Sequence, residues 1–296
     1  MINRKEFIRQ VCLLSAGSLA AGPSIAGAFA KDHAIGLQLY TLRAEMAKDP
    51  VGTLKKVAAL GFSEVENFGY NGKFFGMEPV EYRKTLNDLG LKAPSGHYLW
   101  GGASPTPPPG SIRANWKQSV EDAATIGQKY MVLAFLFPNE RQSLDQYKKV
   151  TEDLNKAGED CAKAGLQLAY HNHDFEFQAL EGTLPFNILM SGTDSAAVKI
   201  ELDLYWASKA GQPPVDLFRK YEKRVELWHV KDMDKTEKKF FTEVGNGVID
   251  FNAIFKAHKQ SGMKHFFVEQ DQCPGNPLDS ISQSIGYIKK NLLKLV

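Results

Sequence analysis

LQLAYHNHDFEF, Leu166–Phe177, opens as an apolar strand and closes in a cluster of imidazoles and carboxylates. His171 and His173 are two residues apart, so on a strand they share one face. Asp174 and Glu176 follow directly. Three later stretches repeat the design: Val198–Trp206 (VKIELDLYW), Val225–Asp234 (VELWHVKDMD) and His265–Asp271 (HFFVEQD). Each runs from apolar residues into Asp203, His229 or Glu269. Buried strands that end in such groups read as the mouth of a site, and these ends are expected to converge on one metal ion.

Working outward, strands and helices alternate. A strand at 35–39 ends near Gln38, and a helix from Asp49-Pro50 to Leu60 starts with a cap and a first-turn proline. A strand at 63–68 carries Glu66, a helix spans 79–89, and a strand at 91–98 carries His97. Helical spacing covers 112–128, a strand 129–135 and an amphipathic helix 144–164. The stretch quoted first comes next. A helix at 184–190 precedes the strand at Val198, one at 214–221 precedes Val225, and one at 251–260 precedes the strand at 266–270. A helix at 278–293 closes the chain. Eight strand-then-helix units in about 265 residues predict a parallel sheet closed into a single-domain α/β (β/α)8 TIM barrel, whose site lies where the strands end. A doubly wound open sheet would carry a glycine-rich phosphate loop after the first strand, and neither GxGxxG nor GxxxxGK[ST] occurs.

Residues 1–30 read separately. Arg4, Lys5 and Arg9 precede an Ala/Gly/Leu-rich run from Val11 to Ala21, and Ala28-Phe29-Ala30 fits a small-x-small cleavage site. The run is short and interrupted by glycine, which argues against a stable membrane anchor. Asn3–Ile8 resembles a twin-arginine signal with Lys5 in place of the second arginine. The expected location is periplasmic or secreted, with residues 31–296 forming the barrel. The chain has 36 basic and 34 acidic residues. Three bases and one acid lie in residues 1–30, which leaves 33 of each. That balance argues against a nucleic-acid partner. Of the cysteines left, Cys161 falls on a predicted helix and Cys273 beyond the last strand. Neither has a CxxC neighbour, so neither reads as redox or zinc chemistry.

A single His or Asp at a strand end is usually a satisfied structural group. The case for a metal rests on coincidence: carboxylates gathered at one barrel mouth repel one another, and a divalent cation removes that cost. Mixed imidazole and carboxylate donors suit manganese, magnesium, cobalt or zinc without choosing among them.

The segments around Asp203, His229 and Glu269, with LQLYTLR near the start and VGNGVIDF late in the chain, resemble the xylose-isomerase-like barrels. These include sugar isomerases and epimerases, hydroxypyruvate isomerase, endonuclease IV and inosose dehydratase. The resemblance covers nearly all of 33–296. It implies four metal ligands from successive late strands, Glu, Asp, His and Glu. Asp203, His229 and Glu269 match the last three, whereas His171 stands where the first glutamate is expected. In the epimerases of that family the first and last glutamates form an acid/base pair on opposite faces of the sugar carbon. Only Glu269 keeps its place here, and the YHNH text is more similar to inosose dehydratase. Glu176 is a candidate substitute acid or ligand.

Such a metal acts as a Lewis acid on a ketone or on adjacent hydroxyls and stabilises an enediolate, while a nearby His or Glu takes the proton. Returning the proton gives an isomerase or epimerase, and expelling a β-substituent gives a dehydratase or glycoside lyase. The first expectation is therefore a divalent-metal-dependent sugar isomerase or epimerase. A keto-sugar dehydratase or 3-keto-glycoside lyase stands second, and a non-catalytic carbohydrate-binding barrel third. The candidate catalytic residues are Glu269, His171, Glu176 and Lys231. The candidate metal ligands are His171, Asp203, His229 and Glu269. Glu66, His97, His173 and Trp206 are candidates for holding sugar, with Tyr40, Trp100 and Tyr205 as possible flat walls. Lys231 shares a face with His229 and is expected to pair with Asp203 or Asp232 if it is not catalytic. The partner is a small carbohydrate, and a homo-oligomer is possible.

Overall fold

In the late strands alternate apolar residues point away from the barrel axis. Leu168, Tyr170, Ile200, Leu202, Trp228, Val230, Phe266 and Val268 belong to the main core, packed beneath the surrounding helices. The residues between them point inward. In the computed structural model, which describes residues 34–296, eight parallel strands close into a barrel among the described residues. They are β1 (Gly36–Gln38), β2 (Glu64–Asn67), β3 (Lys92–Tyr98), β4 (Tyr130–Leu133), β5 (Gln167–His171), β6 (Val198–Asp203), β7 (Val225–Val230) and β8 (His265–Val268). Each pairs with the next, and β1 pairs with β8. The export segment predicted in 1–30 lies outside the described residues.

The main helices between and after the strands are α1 (Pro50–Ala59), α2 (Pro79–Asp88), α3 (Trp116–Ile126), α4 (Leu144–Lys163), α5 (Pro185–Gly192), α6 (Pro214–Lys220), α7 (Phe251–Lys256) and α8 (Pro277–Tyr287). The Asp49 carboxylate accepts from the Gly52 amide and Pro50 begins α1, so the predicted cap is present. Four local expectations change. The helix expected from 112 starts at Trp116, because Asn115 adopts a left-handed φ of 57° just before it. The last helix gives way at Ile288 to a π-helical turn. The stretch Val198–Trp206 is strand only to Asp203, whose carboxylate caps a short helix, Leu204–Lys209. Val225–Asp234 ends as strand at Val230, and Asp232–Met233 pairs antiparallel with Phe241–Thr242 in a two-stranded ribbon.

The barrel interior is layered. Tyr130, Val132, Ala169, Leu227 and Phe267 form an apolar plug distinct from the outer core. Gly36 is part of that fit, since a Cβ there would strike the Phe267 ring and come within 2.9 Å of the Phe266 carbonyl oxygen. Above the plug, toward the strand ends, the inward residues turn polar. The register sets Gln38 beside Glu66, His171 beside Glu201 and Asp203 beside His229. Cys161 and Cys273 are free thiols. No helix among the described residues is long and apolar enough to cross a membrane.

Candidate metal centre and active-site cavity

At the strand ends the polar side chains form one connected network. His229, on β7, sits at its centre and is fully buried. Its Nδ1 lies 2.8 Å from Glu269 Oε2 and its Nε2 2.6 Å from Glu66 Oε2. Glu66 also accepts from Gln38 Nε2 at 2.7 Å and from Ser95 Oγ at 2.5 Å. A carboxylate that holds one imidazole nitrogen aims the other, which is how ligating histidines are oriented. Burial opposes a charge on Glu66, but His97 and His229 outweigh it and hold the carboxyl well below its usual range. Burial likewise disfavours a charged His229, and the carboxylates of Glu201, Glu269 and Glu66 overcome it, so the imidazolium is strongly favoured.

A second carboxylate, Glu201, has its Oε2 2.7 Å from His97 Nε2, 3.0 Å from His171 Nδ1 and 3.3 Å from His229 Nε2. Burial first, and then the charge of Glu66, push its carboxyl up to about 7. The same neighbours raise His97 to about 9 against the effect of burial. His171 moves the opposite way: burial, with the positive charges of His229 and His97, keeps it neutral.

Lys231 lies toward the cavity. Only 1% exposed, its ammonium is 2.9 Å from Asp203 Oδ2, 2.5 Å from Glu269 Oε2 and 3.1 Å from Asp271 Oδ1. Burial disfavours this charge, yet the carboxylates raise its pKa well above the ordinary lysine value. The alternative partner, Asp232, is occupied elsewhere. Its carboxylate accepts from the amides of Met233, Gly245, Gly247 and Ile249 and so fixes the ribbon and the loop after it.

Donor atoms of Asp203, His229 and Glu269 lie within 4.8 Å of one another, as do those of His97, His171, Glu201 and His229. His171 Nε2 approaches Asp203 Oδ2 at 3.7 Å and so joins the two groups. Asp203 Oδ2 meets Lys231 as a charge pair but makes no hydrogen bond of acceptable angle, and Glu201 Oε1 and His173 Nδ1 are also buried without a hydrogen-bond partner. Buried carboxylate and imidazole donors gathered this closely fit a divalent cation. Asp203 and Glu269, with His229 once it gives up its extra proton and with His171 beside them, would hold it.

The candidates separate by position. His97, His171, His173, Trp206, Lys231 and Glu269 all line one cavity of about 840 Å³. Glu66 does not; it is buried beneath His97 and His229 and supports those rings instead of facing a sugar. Glu176 is also held away from that wall. Its Oε1 accepts from the Tyr170 hydroxyl at 2.7 Å and its Oε2 from the His173 amide at 2.8 Å. β5 ends at His171, so His173 stands in the loop, where its ring stacks on Phe175. Tyr40 lines the cavity, whereas Trp100 is buried against Asp153, and the buried Tyr205 donates to the Lys239 carbonyl. The sequence reading omitted Glu201, Gln38 and Asp271. Glu201 was within reach of it: two residues before Asp203 on one strand, it shares the inward face.

The fold and site define a (β/α)8 barrel with an imidazole–carboxylate cluster at the C-terminal mouth of its strands. Residues 54–291 match the family described as xylose isomerase-like TIM barrel, and the chain belongs to that family. It is similar to an inosose dehydratase of Lacticaseibacillus casei, at 26% identity over 163 residues, 49% of this chain and 54% of that one. An inosose dehydratase of Clostridium botulinum is 29% identical over 165 residues, 49% of this chain and 55% of that one. The chain spans about half the length of these relatives. A crystal structure of a sugar phosphate isomerase/epimerase from Parabacteroides distasonis superimposes with a TM-score of 0.77 at 28% identity, covering 88% of this chain and 95% of that one. The fold is also shared with an IOLI protein bearing a zinc atom, TM-score 0.68 at 14% identity, covering 89% of this chain and 99% of that one.

Proposed function

We propose that the protein is a divalent-metal-dependent lyase that removes a proton beside the carbonyl of a keto-sugar and expels a β-oxygen substituent. The observation that carries this reading is the identity of the groups on the cavity wall. Glu269 and His97 face the same cavity, and an imidazole, His171, stands where the epimerases that the sequence resembles place the first glutamate of their acid/base pair. Burial alone would raise the Glu269 carboxyl; Lys231 and His229 pull it below its usual range and hold it ionised. Glu269 takes the C–H proton. The C–O bond to the leaving group breaks, a C=C bond forms, and His97 donates its proton to the departing oxygen. Lys231 balances charge beside Glu269. When bound, the cation supplies Lewis-acid polarisation of the sugar carbonyl. The inosose dehydratase relatives support elimination. The export signal read in residues 1–30 favours free sugars or glycosides and a periplasmic or secreted location.

A second reading, isomerase or epimerase, is favoured by the likeness to the Parabacteroides distasonis protein. Both readings are tested by incubation with inososes and 3-keto-glycosides in deuterated water, with and without chelator. Release of water or an aglycone, abolished by the chelator, is the expected result. Deuterium entering unchanged sugar or its isomer, with nothing released, overturns elimination in favour of isomerisation. Binding with neither outcome leaves a carbohydrate-binding barrel.

A further inference from the structure

The cavity is divided by chemistry. Its reactive groups, His97, His171, Lys231, Glu269 and Asp271, come from the ends of β3, β5, β7 and β8 or just beyond them. The rest of the lining is built by the loops after β1 to β5 and is rich in aromatic rings and proline. Tyr40 and Phe68 meet edge to face there, with ring centroids 5.4 Å apart. Phe135 meets Phe175 edge to face at 5.6 Å, and the Arg141 guanidinium lies 3.6 Å above the Phe175 ring. That arginine is held in place by Nε donating to the Leu136 carbonyl at 3.0 Å. Pro108 and Pro109, the last two of three successive prolines, add rigid apolar surface. Ser111, one of the few hydroxyls on this wall, is turned to the Pro108 carbonyl.

A cavity of about 840 Å³ is far larger than one hexose ring fills. Sugar hydroxyls need hydrogen-bond partners when buried, and on this wall the polar side chains Asn71, Asp174 and Arg141 are outnumbered by aromatic rings and prolines. Aromatic edges and faces instead favour a planar apolar ring. We infer that this wall is a leaving-group subsite, and that the substrate is a glycoside whose aglycone is an aromatic ring. This rests on the reading of the protein as a lyase for what happens to the aglycone, but the subsite is tested by binding alone.

The test is calorimetric titration of the full protein with phenyl β-D-glucopyranoside, methyl β-D-glucopyranoside, cellobiose, glucose 6-phosphate and 4-nitrophenol. The phenol probes the wall whatever sugar configuration the inner half requires. The expected result is binding of 4-nitrophenol and preference for phenyl over methyl glucoside by about tenfold, as one well-packed aromatic ring supplies. Phe175→Leu and Phe135→Leu, chosen to keep the wall apolar and checked by thermal melting, should each shrink that preference several-fold. No binding of 4-nitrophenol at millimolar concentration together with no aryl preference overturns the inference. So does tighter binding of cellobiose, or of glucose 6-phosphate in a manner lost in Arg141→Ala. Aryl binding by a protein that releases no phenol from phenyl 3-keto-glucoside in the presence of metal leaves the subsite standing and removes the lyase reading. Equal turnover of methyl and phenyl 3-keto-glucosides, with equal binding, does the reverse.

Discussion

Replacing Lys231 by methionine takes the buried ammonium out from between Asp203, Glu269 and Asp271. Methionine fills similar space without charge. The carboxylate oxygens of Asp203 and Glu269 lie within 4.8 Å of each other. At an effective dielectric of about 20, two unit charges at that separation repel by roughly 3.5 kcal/mol. His229 still faces Glu269 through Nδ1, so the loss falls mainly on Asp203. Breaking a buried ion pair from one side costs about 3–5 kcal/mol, in line with that figure. For a domain of this size the melting temperature should fall by about 7–14 °C in chelator. A divalent cation restores the missing positive charge. Manganese or zinc at a hundred times its dissociation constant returns about 2.7 kcal/mol. The assay is thermal melting of wild type and Lys231→Met, each in chelator and in a metal series. An unchanged melting temperature for the variant in chelator refutes the electrostatic reasoning. Equal metal stabilisation of both proteins refutes the claim that lysine and cation serve the same two carboxylates.

Three further outcomes are expected. Glu201→Gln should weaken metal retention about 10–100-fold, since Glu201 orients His97 and His171 from behind; retention equal to wild type in equilibrium dialysis removes that role. Burial raises the Glu176 carboxyl to about 7. The folded state therefore keeps a proton that the unfolded chain releases nearer pH 4.5, and stability contributed by the neutral form is lost as pH rises from about 4.5 through 7. Denaturant melts of Glu176→Gln should lack that decline, worth about 3 kcal/mol, and parallel pH curves for both proteins would count against it. Gly36→Ala should destabilise by about 1–3 kcal/mol, because its methyl group must displace the Phe267 ring in the barrel plug; an unshifted denaturation midpoint contradicts that packing.

Much of the barrel is written in local pattern. Apolar residues at every second position of 198–203, and at Val225, Leu227, Trp228 and Val230 in the next strand, punctuated by capped helices, specify buried parallel strands. The same period pointed to Asp203, His229 and Glu269, because each is an inward residue at the end of such a strand. It also contains Glu201, an inward residue that lies inside the strand and not at its end. Elsewhere local pattern misled. LDLYW reads as continuing strand, yet the Asp203 carboxylate caps a helix there and turns Trp206 into the cavity wall. Glu176 is a free acid on paper and becomes a brace for Tyr170 and the His173 amide once the loop folds.

From sequence alone came the eight-unit order, the inward face of each strand and the family resemblance, since these depend on spacing within single segments. Only the tertiary structure decided which carboxylate serves which cation: that Glu66 supports His229, that Glu201 ties His97 to His171, and that Lys231 chooses Asp203, Glu269 and Asp271 over Asp232. Those partners lie tens to hundreds of residues apart. Their charges are settled by burial and proximity, and neither exists until the barrel closes.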